Sequence, residues 1–414
     1  MATRDDGRQE GTEPATAPAN PSDRPAVSKW RALAGAVLLD LAVSPLFAWD
    51  VFTGALRRDL GVGDAQLASV FSVGLAAFMV GVLVGGRVAD SVSPRRLALV
   101  TGGGTVLGLL GSAAAASLPT LVLAFGILLG GSTGLGYATA VRVAGTVQSG
   151  RGLALGLVVS AYAVGTAVLA PVAAVLLIAV GRFWTFVVLA GVLGGVLIAA
   201  AALVPGRAAG PRRSRRRTRR TRPSRPIVAL WLTFALSSAP ALAAFAQAGN
   251  LAGTPSAVAL AVTLLNVGNF VGRLVAGPLS DSVGRSTALH GNSALLLLAC
   301  LPLAVGVSGP IALGALFLLG TQYGALSTLI PAATADVVPS ERFGSTYGVV
   351  FTGWGIAGLL APVAAATLAA QIGYDGVYLA FLVIAVLAWA CVATYARLVH
   401  GTGRHPAHPG DRTT

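Results

Sequence analysis

The stretch GPLSDSVGR at residues 277–285 decides the fold, because it ends an apolar segment and has a near copy in the other half of the chain. The copy is GRVADSVSPRR at residues 86–96, so Asp90 and Asp281 lie 191 positions apart (281 minus 90). The apolar segment, Ala257 to Gly277, is long enough to cross a membrane, which takes about 20 residues. The duplication predicts a membrane protein built from two equivalent halves.

Composition supports a membrane protein. The 414 residues are 55% hydrophobic and only 11% charged, whereas a soluble domain carries about 25% charged residues. The net charge of +14 could suit nucleic acid, but the basic residues lie in short segments between apolar stretches, which predicts contact with a lipid bilayer and no nucleic acid. Cys300 and Cys391 offer neither a disulfide framework nor metal spacing, so we expect no metal and no cofactor.

Twelve apolar stretches are long enough to span a membrane. They repeat in register, because Arg151 and Arg342 share the offset of 191, as do the two copies of APVAA at 170–174 and 361–365. We therefore predict an all-α membrane protein of twelve transmembrane helices in two six-helix bundles, a pseudo-twofold repeat with a site between the halves near the midplane. The predicted spans are 31–54, 66–89, 96–116, 119–143, 151–179, 183–204, 227–248, 256–279, 286–307, 309–334, 344–371 and 376–398.

The same pattern predicts domain boundaries and orientation. Most basic residues lie in the loops on one side and in the two tails, so both termini and the central loop are predicted to be cytoplasmic. We expect the protein to function as a monomer in the cell membrane. The arginine-rich linker is expected to lie against anionic headgroups. The predicted segments are a disordered cytoplasmic tail (1–28), an N-terminal bundle (29–205), the linker (206–226), a C-terminal bundle (227–398) and a cytoplasmic tail (399–414).

The duplicated loop resembles the signature loop of the major facilitator superfamily. That resemblance implies that Asp90 and Asp281 each meet a helix N-terminus and arginines across the cytoplasmic face, latching an outward-facing state. The arginines of the two loops are Arg95, Arg96 and Arg285.

A narrower resemblance connects the chain to the oxalate:formate antiporter family and to monocarboxylate carriers. The matching segments are SPLFAWDVF at 44–52, RGLA at 151–154, the stretch from Asn266 to Arg273, and 347–355. This resemblance implies a small organic anion as the transported solute. Dicarboxylate carriers of this type have a second cation in the eleventh span. The eleventh predicted span here has no Lys or Arg, so the resemblance favours one carboxylate per substrate. Asn269 stands where proton-linked members have an acid.

Arg273 is the first candidate for binding that anion. Asn266, Asn269 and Arg273 fall at i, i+3 and i+7, so they share one helix face with amide groups and a guanidinium fork suited to a carboxylate. The alternative is a structural arginine that reaches the surface or pairs with Asp281. Eight residues of helix separate those two, which is about 12 Å at a rise of 1.5 Å per residue.

Asp40 is the candidate for proton coupling, because it lies near the middle of the first span and a buried carboxyl can carry a proton. It could equally be a permanent partner of Arg273 or a neutral hydrogen-bonded acid.

An aromatic stripe lies on the eleventh span, where Tyr347, Phe351 and Trp354 fall at i, i+4 and i+7. It is either a wall of the substrate cavity or core packing. Weaker candidates for polar contacts with the substrate are Tyr137, Tyr162, Gln322 and Tyr323.

These residues predict a secondary active transporter of a small monocarboxylate, working by antiport or proton symport, and not an enzyme. The alternative is a drug or secondary-metabolite efflux pump of the same superfamily. The fourth span, Leu121 to Val141, lacks the mid-span arginine typical of such pumps, and Arg142 follows it at the end, where an interface role is expected. A non-transporting sensor is disfavoured by the intact duplicated loop.

Overall fold

The computed structural model describes residues 28–147, 149–206, 224–251 and 255–400, and these residues are almost entirely helical. The predicted tails and linker therefore fall largely outside the described residues. The helices are α1 (Lys29–Ala42), α2 (Trp49–Leu60), α3 (Asp64–Ala89), α4 (Pro94–Ala113), α5 (Leu118–Leu121), α6 (Gly130–Gly145), α7 (Arg151–Leu203), α8 (Arg225–Leu251), α9 (Pro255–Val283), α10 (Arg285–Ala304), α11 (Gly309–Val337) and α12 (Phe343–His400).

Ten helical segments of the described chain are long and apolar enough to cross a membrane. Two of them contain the 53-residue α7 and the 58-residue α12, each more than twice the roughly 20 residues of one crossing. Both helices break at a glycine with positive φ, Gly181 (φ 75°) and Gly373 (φ 74°), a backbone conformation that other residues rarely adopt. The breaks lie between predicted spans, so each long helix comprises two segments of crossing length.

Two predicted spans are less regular than their hydropathy suggested. The first is interrupted after α1 by a 3₁₀ turn, Pro45–Ala48, because Pro45 cannot donate a backbone hydrogen bond to the preceding turn. The fourth contains a π-helical stretch, Val122–Leu129, between α5 and α6. The interruption in the first span lies only a few residues after Asp40.

The two halves of the chain meet mainly where α3 lies against α12 and where α7 lies against α9. Glycines allow these close approaches, because a side chain at Gly86 would meet the carbonyl of Gly344, and one at Gly152 would meet the carbonyl of Gly277. Large apolar side chains such as Ile178 and Leu107 remain exposed on the outside. An outer surface of this kind suits lipid rather than water.

Candidate functional site

Asp40 is completely buried in α1, near the break that ends the helix. Neither of its carboxyl oxygens has a hydrogen-bond partner among the residues the structure describes. The charge of Arg273 acts on this carboxyl, although the two side chains form no ion pair within 4 Å in the described part of the chain. Because buried polar groups are nearly always hydrogen-bonded, an unpartnered buried carboxyl is a candidate functional position.

Arg273 extends from α9 of the second half toward the first half. Its Nε donates to Oδ1 of Asn269 at 2.9 Å, and its Nη1 donates to the backbone carbonyl of Val159 on α7 at 2.7 Å. The side chain is half-buried, and its hydrogen bonds within the described residues use only Nε and Nη1. Since a guanidinium has five N–H donors, donors remain for a carboxylate. The alternative of pairing with Asp281 is not seen, because Asp281 has other partners.

Small residues let the neighbouring helices approach Arg273. A Cβ atom at Gly156 would lie 2.9 Å from the Arg273 carbonyl oxygen, and Gly324 of α11 lies against the backbone of Asn269. Thr328 Oγ1 donates to the Arg273 carbonyl at 3.0 Å. Helices from both halves therefore fix the backbone that carries the guanidinium.

Asn266 does not join this arrangement. Its side chain is exposed, and its Nδ2 donates to the carbonyl of Val262 in its own helix at 2.9 Å. The shared helix face therefore brings Asn269 to Arg273 but leaves Asn266 two turns away with its amide bound locally.

The predicted aromatic stripe is buried and forms part of a larger cluster between the halves. Tyr137 and Tyr347 share a hydrogen bond between their hydroxyl groups at 3.2 Å, which joins α6 to α12. Trp354 Nε1 donates to the Tyr323 hydroxyl at 2.7 Å, and Phe351 packs against both Trp354 and Tyr137. The stripe therefore faces the other half of the protein rather than the interior of its own half alone.

Tyr162 is also in the cluster, through ring contacts with Tyr137, Phe47 and Phe78. Its hydroxyl is buried and has no hydrogen-bond partner in the described ranges. Phe78 contacts rings of both halves, including Phe351 at 6.0 Å between centroids. Sequence reasoning missed Phe78, although an isolated pair of phenylalanines in the second span was a signal for it.

Gln322 is fully buried, and both amide atoms lack a partner among the described residues. No hydrogen bond or ring contact connects it to Arg273 or to the aromatic cluster in that part of the chain. Its predicted contact with substrate stays a prediction.

The two repeated aspartates bind the first residues of helices in the opposite half. Asp90 accepts hydrogen bonds from the backbone nitrogens of Gly344 (3.0 Å) and Ser345 (2.7 Å) at the start of α12. Asp281 accepts from those of Gly152 (3.1 Å) and Leu153 (3.2 Å) at the start of α7. An acidic side chain satisfies free N–H groups there and interacts favourably with the helix dipole.

The arginines beside the first aspartate differ from the prediction. Arg142 of α6, buried with only 3% of its side chain exposed, donates from Nε to Asp90 at 3.1 Å. Arg95 and Arg96 are exposed and form no ion pair within the described residues; the backbone nitrogen of Arg95 donates to the Pro205 carbonyl. The backbone contact with Pro205 holds the start of α4 at the end of α7, whereas Arg142 reaches Asp90 from α6.

At the second aspartate the predicted arginine is in place and belongs to a chain of ion pairs. Arg285 contacts Asp281 (2.5 Å) and Asp336 (3.0 Å), and Asp336 also binds Arg151 (2.5 Å) across the interface. Sequence reasoning missed Asp336, whose only signal was a carboxylate near the end of an otherwise uncharged span. We call the Asp90 contacts the first latch and the Asp281 contacts the second latch.

A helical membrane protein with two packed halves and charged residues between them has the architecture of a secondary transporter. The chain belongs to the Major Facilitator Superfamily, whose family model matches residues 41–249 and again residues 228–412.

Relatives and solved structures agree with this family. The chain is 24% identical over 346 residues to the Escherichia coli K12 protein described as "Uncharacterized MFS-type transporter YhjX", covering 80% of this chain and 85% of that protein. It is 26% identical over 350 residues to a Thermoproteus tenax protein described as "Uncharacterized 38 kDa protein in 23S RNA operon", covering 81% and 87%.

Among solved structures, the E. coli fucose:proton symporter FucP has a TM-score of 0.69 at 14% identity, covering 90% of this chain and 99% of that chain. The human organic anion transporter MFSD10 has a TM-score of 0.67 at 14% identity, covering 89% and 100%. At such identities the structural likeness shows the fold.

Proposed function

We propose that this secondary transporter moves a small monocarboxylate across the cell membrane, with the guanidinium of Arg273 as the anion site. The observation that carries the proposal is that Arg273 has donors to spare while Asp40 is buried without a partner in the described residues. A planar guanidinium matches the geometry of a carboxylate better than any other side chain. The aromatic cluster between the halves would exclude water from a small anion.

Asp40 is proposed as the proton carrier. A buried carboxyl without hydrogen bonds is costly when charged, whereas a nearby guanidinium compensates that charge. Loading of an anion on Arg273 removes this compensation, so Asp40 then takes up a proton. Proton uptake by Asp40 is thereby coupled to binding of the anion at Arg273, and this coupling makes proton symport the expected mode.

The two latches are proposed to hold the cytoplasmic side closed while the site opens outward. In this proposal both termini lie in the cytoplasm, because the basic loops are on the latch side. The halves would then rock about the pair of contacts between α3 and α12 and between α7 and α9.

Counterflow in proteoliposomes tests the substrate class. Vesicles loaded with unlabelled formate, lactate, pyruvate or oxalate would be diluted into the labelled compound, with wild type, Arg273→Ala and Arg397→Ala compared. Arg397 is an exposed arginine of α12, so it controls for loss of a charge. We expect exchange of at least one monocarboxylate by wild type and Arg397→Ala and none by Arg273→Ala. Absence of exchange by folded wild type would contradict the proposal and direct testing to neutral and cationic drugs.

A further inference from the structure

Arg95 and Arg96, which take no part in the first latch, lie at one end of an apolar groove on the outer surface of the first half. The groove has a volume of about 290 Å³ and runs between α4 and α7. Its lining residues are Ala98, Leu99, Gly102, Gly103, Val106, Gly194, Leu197 and Ile198.

Helix geometry places the charge and the groove on one face. One face of α4 carries a continuous stripe, because its residues fall at i, i+4, i+7 and i+11. They are Arg95, Leu99, Gly102 and Val106. The groove extends from Ala98 over eight residues of helix, about 12 Å at 1.5 Å per residue.

Further cationic groups lie at the same end of the groove. Arg31, which is exposed, donates from Nη2 to the Ala202 carbonyl in the last turn of α7 at 3.2 Å. The Pro205 carbonyl just beyond that helix accepts from the backbone nitrogen of Arg95. Lys29 lies over the ring of the exposed Trp30, 5.4 Å from its centroid. An exposed tryptophan beside basic residues is typical of the membrane–water interface.

We propose that this groove holds an acyl chain of an anionic phospholipid whose phosphate is bound by Arg95 and Arg96. Charge complementarity selects this occupant, because the groove is apolar along its length and cationic only at the end where a headgroup would lie. Arginine forms strong charge-assisted hydrogen bonds with phosphate. Juxtamembrane basic residues attract anionic lipids in the same way.

Two glycines provide a matched test of the groove. Gly103 lines the groove, and a Cβ atom there would meet nothing within 4 Å, so Gly103→Leu adds a side chain to the groove from an open backbone position. Gly195 of α7 is equally open but does not line the groove, which makes Gly195→Leu its control. For the headgroup, R95Q/R96Q is compared with R342Q/R397Q, which removes two exposed arginines elsewhere.

The experiment is native mass spectrometry of the purified full chain in detergent, titrated with phosphatidylglycerol or with phosphatidylcholine. We expect wild type and both controls to retain one phosphatidylglycerol in preference to phosphatidylcholine. Gly103→Leu and R95Q/R96Q should bind it at least about fivefold more weakly, and millimolar inorganic phosphate should not displace it, because phosphate lacks the chain.

Three results would overturn the proposal. The first is equal phosphatidylglycerol binding by Gly103→Leu and Gly195→Leu. The second is displacement by inorganic phosphate alone, which would assign the arginines to a free anion. The third is a lipid-independent dimer that Gly103→Leu dissociates, since it would assign the groove to a second copy of the chain.

Discussion

Nη1 of Arg273 donates to the backbone carbonyl of Val159 at 2.7 Å, so the candidate anion-binding cation of the second half is bound directly to a helix of the first. The same guanidinium therefore serves the interface and the proposed substrate. An anion that engages it changes a contact between the halves, which gives substrate binding a direct route to the transition between closed and open states.

Arg273→Lys is expected to impair monocarboxylate exchange although it keeps the positive charge. A lysine cannot donate to Asn269, to Val159 and to a substrate with the fork geometry of arginine. Loss of one hydrogen bond to a charged group costs about 1.5–3 kcal/mol, which corresponds to roughly tenfold or more in affinity. Initial rates of counterflow as a function of substrate concentration measure the loss of affinity, with Arg397→Lys as the control. An unchanged half-saturating concentration would assign Arg273 a structural role.

Asp40→Asn is expected to separate transport from proton coupling. The amide has nearly the shape of the carboxyl but cannot exchange a proton, so an imposed pH gradient should no longer drive accumulation, while counterflow persists. Uptake into proteoliposomes with an acidic exterior, compared with counterflow in the same preparation, measures both activities. Accumulation at the wild-type level by the variant would exclude Asp40 as the proton carrier.

The two latches should differ in their contribution to stability. Asp90→Asn leaves the buried Arg142 unpaired, which typically costs about 3–5 kcal/mol, whereas Arg285 keeps Asp336 in Asp281→Asn. The second latch is also more exposed, and exposed ion pairs contribute about 1 kcal/mol or less. Thermal unfolding in detergent should therefore show the larger decrease in Tm for Asp90→Asn. The control is Asp59→Asn, which breaks an exposed ion pair with Arg182. Equal decreases in Tm in both latch variants would contradict the larger contribution predicted for the first latch.

Gly277→Ala is expected to open the latch side of the interface, because the added methyl group meets the carbonyl of Gly152. A cavity of about 400 Å³ between the halves at this end has Thr146 in its lining, so Thr146→Cys reports on access there. In a background with Cys300 and Cys391 replaced by alanine, labelling by a water-soluble thiol reagent should be faster in Gly277→Ala. Gly191→Ala, where the added Cβ meets nothing within 4 Å, should label like the parent.

Tyr137 and Tyr347 offer a test of contact across the aromatic cluster. Removal of either hydroxyl breaks their shared hydrogen bond, worth about 0.5–1.5 kcal/mol, and removal of both should cost less than the sum of the single changes. A double-mutant cycle of Tyr137→Phe and Tyr347→Phe on Tm measures the coupling. Strict additivity would show that the bond contributes nothing in the membrane protein.

The sequence alone determined the class of fold, the family and the positions of the two latch aspartates. Long apolar stretches can only form helices in a membrane, where every backbone group needs an internal partner. The duplication of Asp90 as Asp281 was visible because both copies keep the same local motif. Arg273 and Asp40 were identifiable for a similar reason, since charges inside apolar stretches are rare.

Only the tertiary structure decided which residues meet. It replaced Arg95 and Arg96 with Arg142 at the first latch, brought Asp336 to the second, left Asn266 outside the cluster, and joined Arg273 to the carbonyl of Val159. Hydropathy and spacing specify which face of a helix a residue occupies, but they carry no information about which helix packs against that face. A backbone carbonyl has no sequence signal at all, so its role as a partner emerges only from the packed structure.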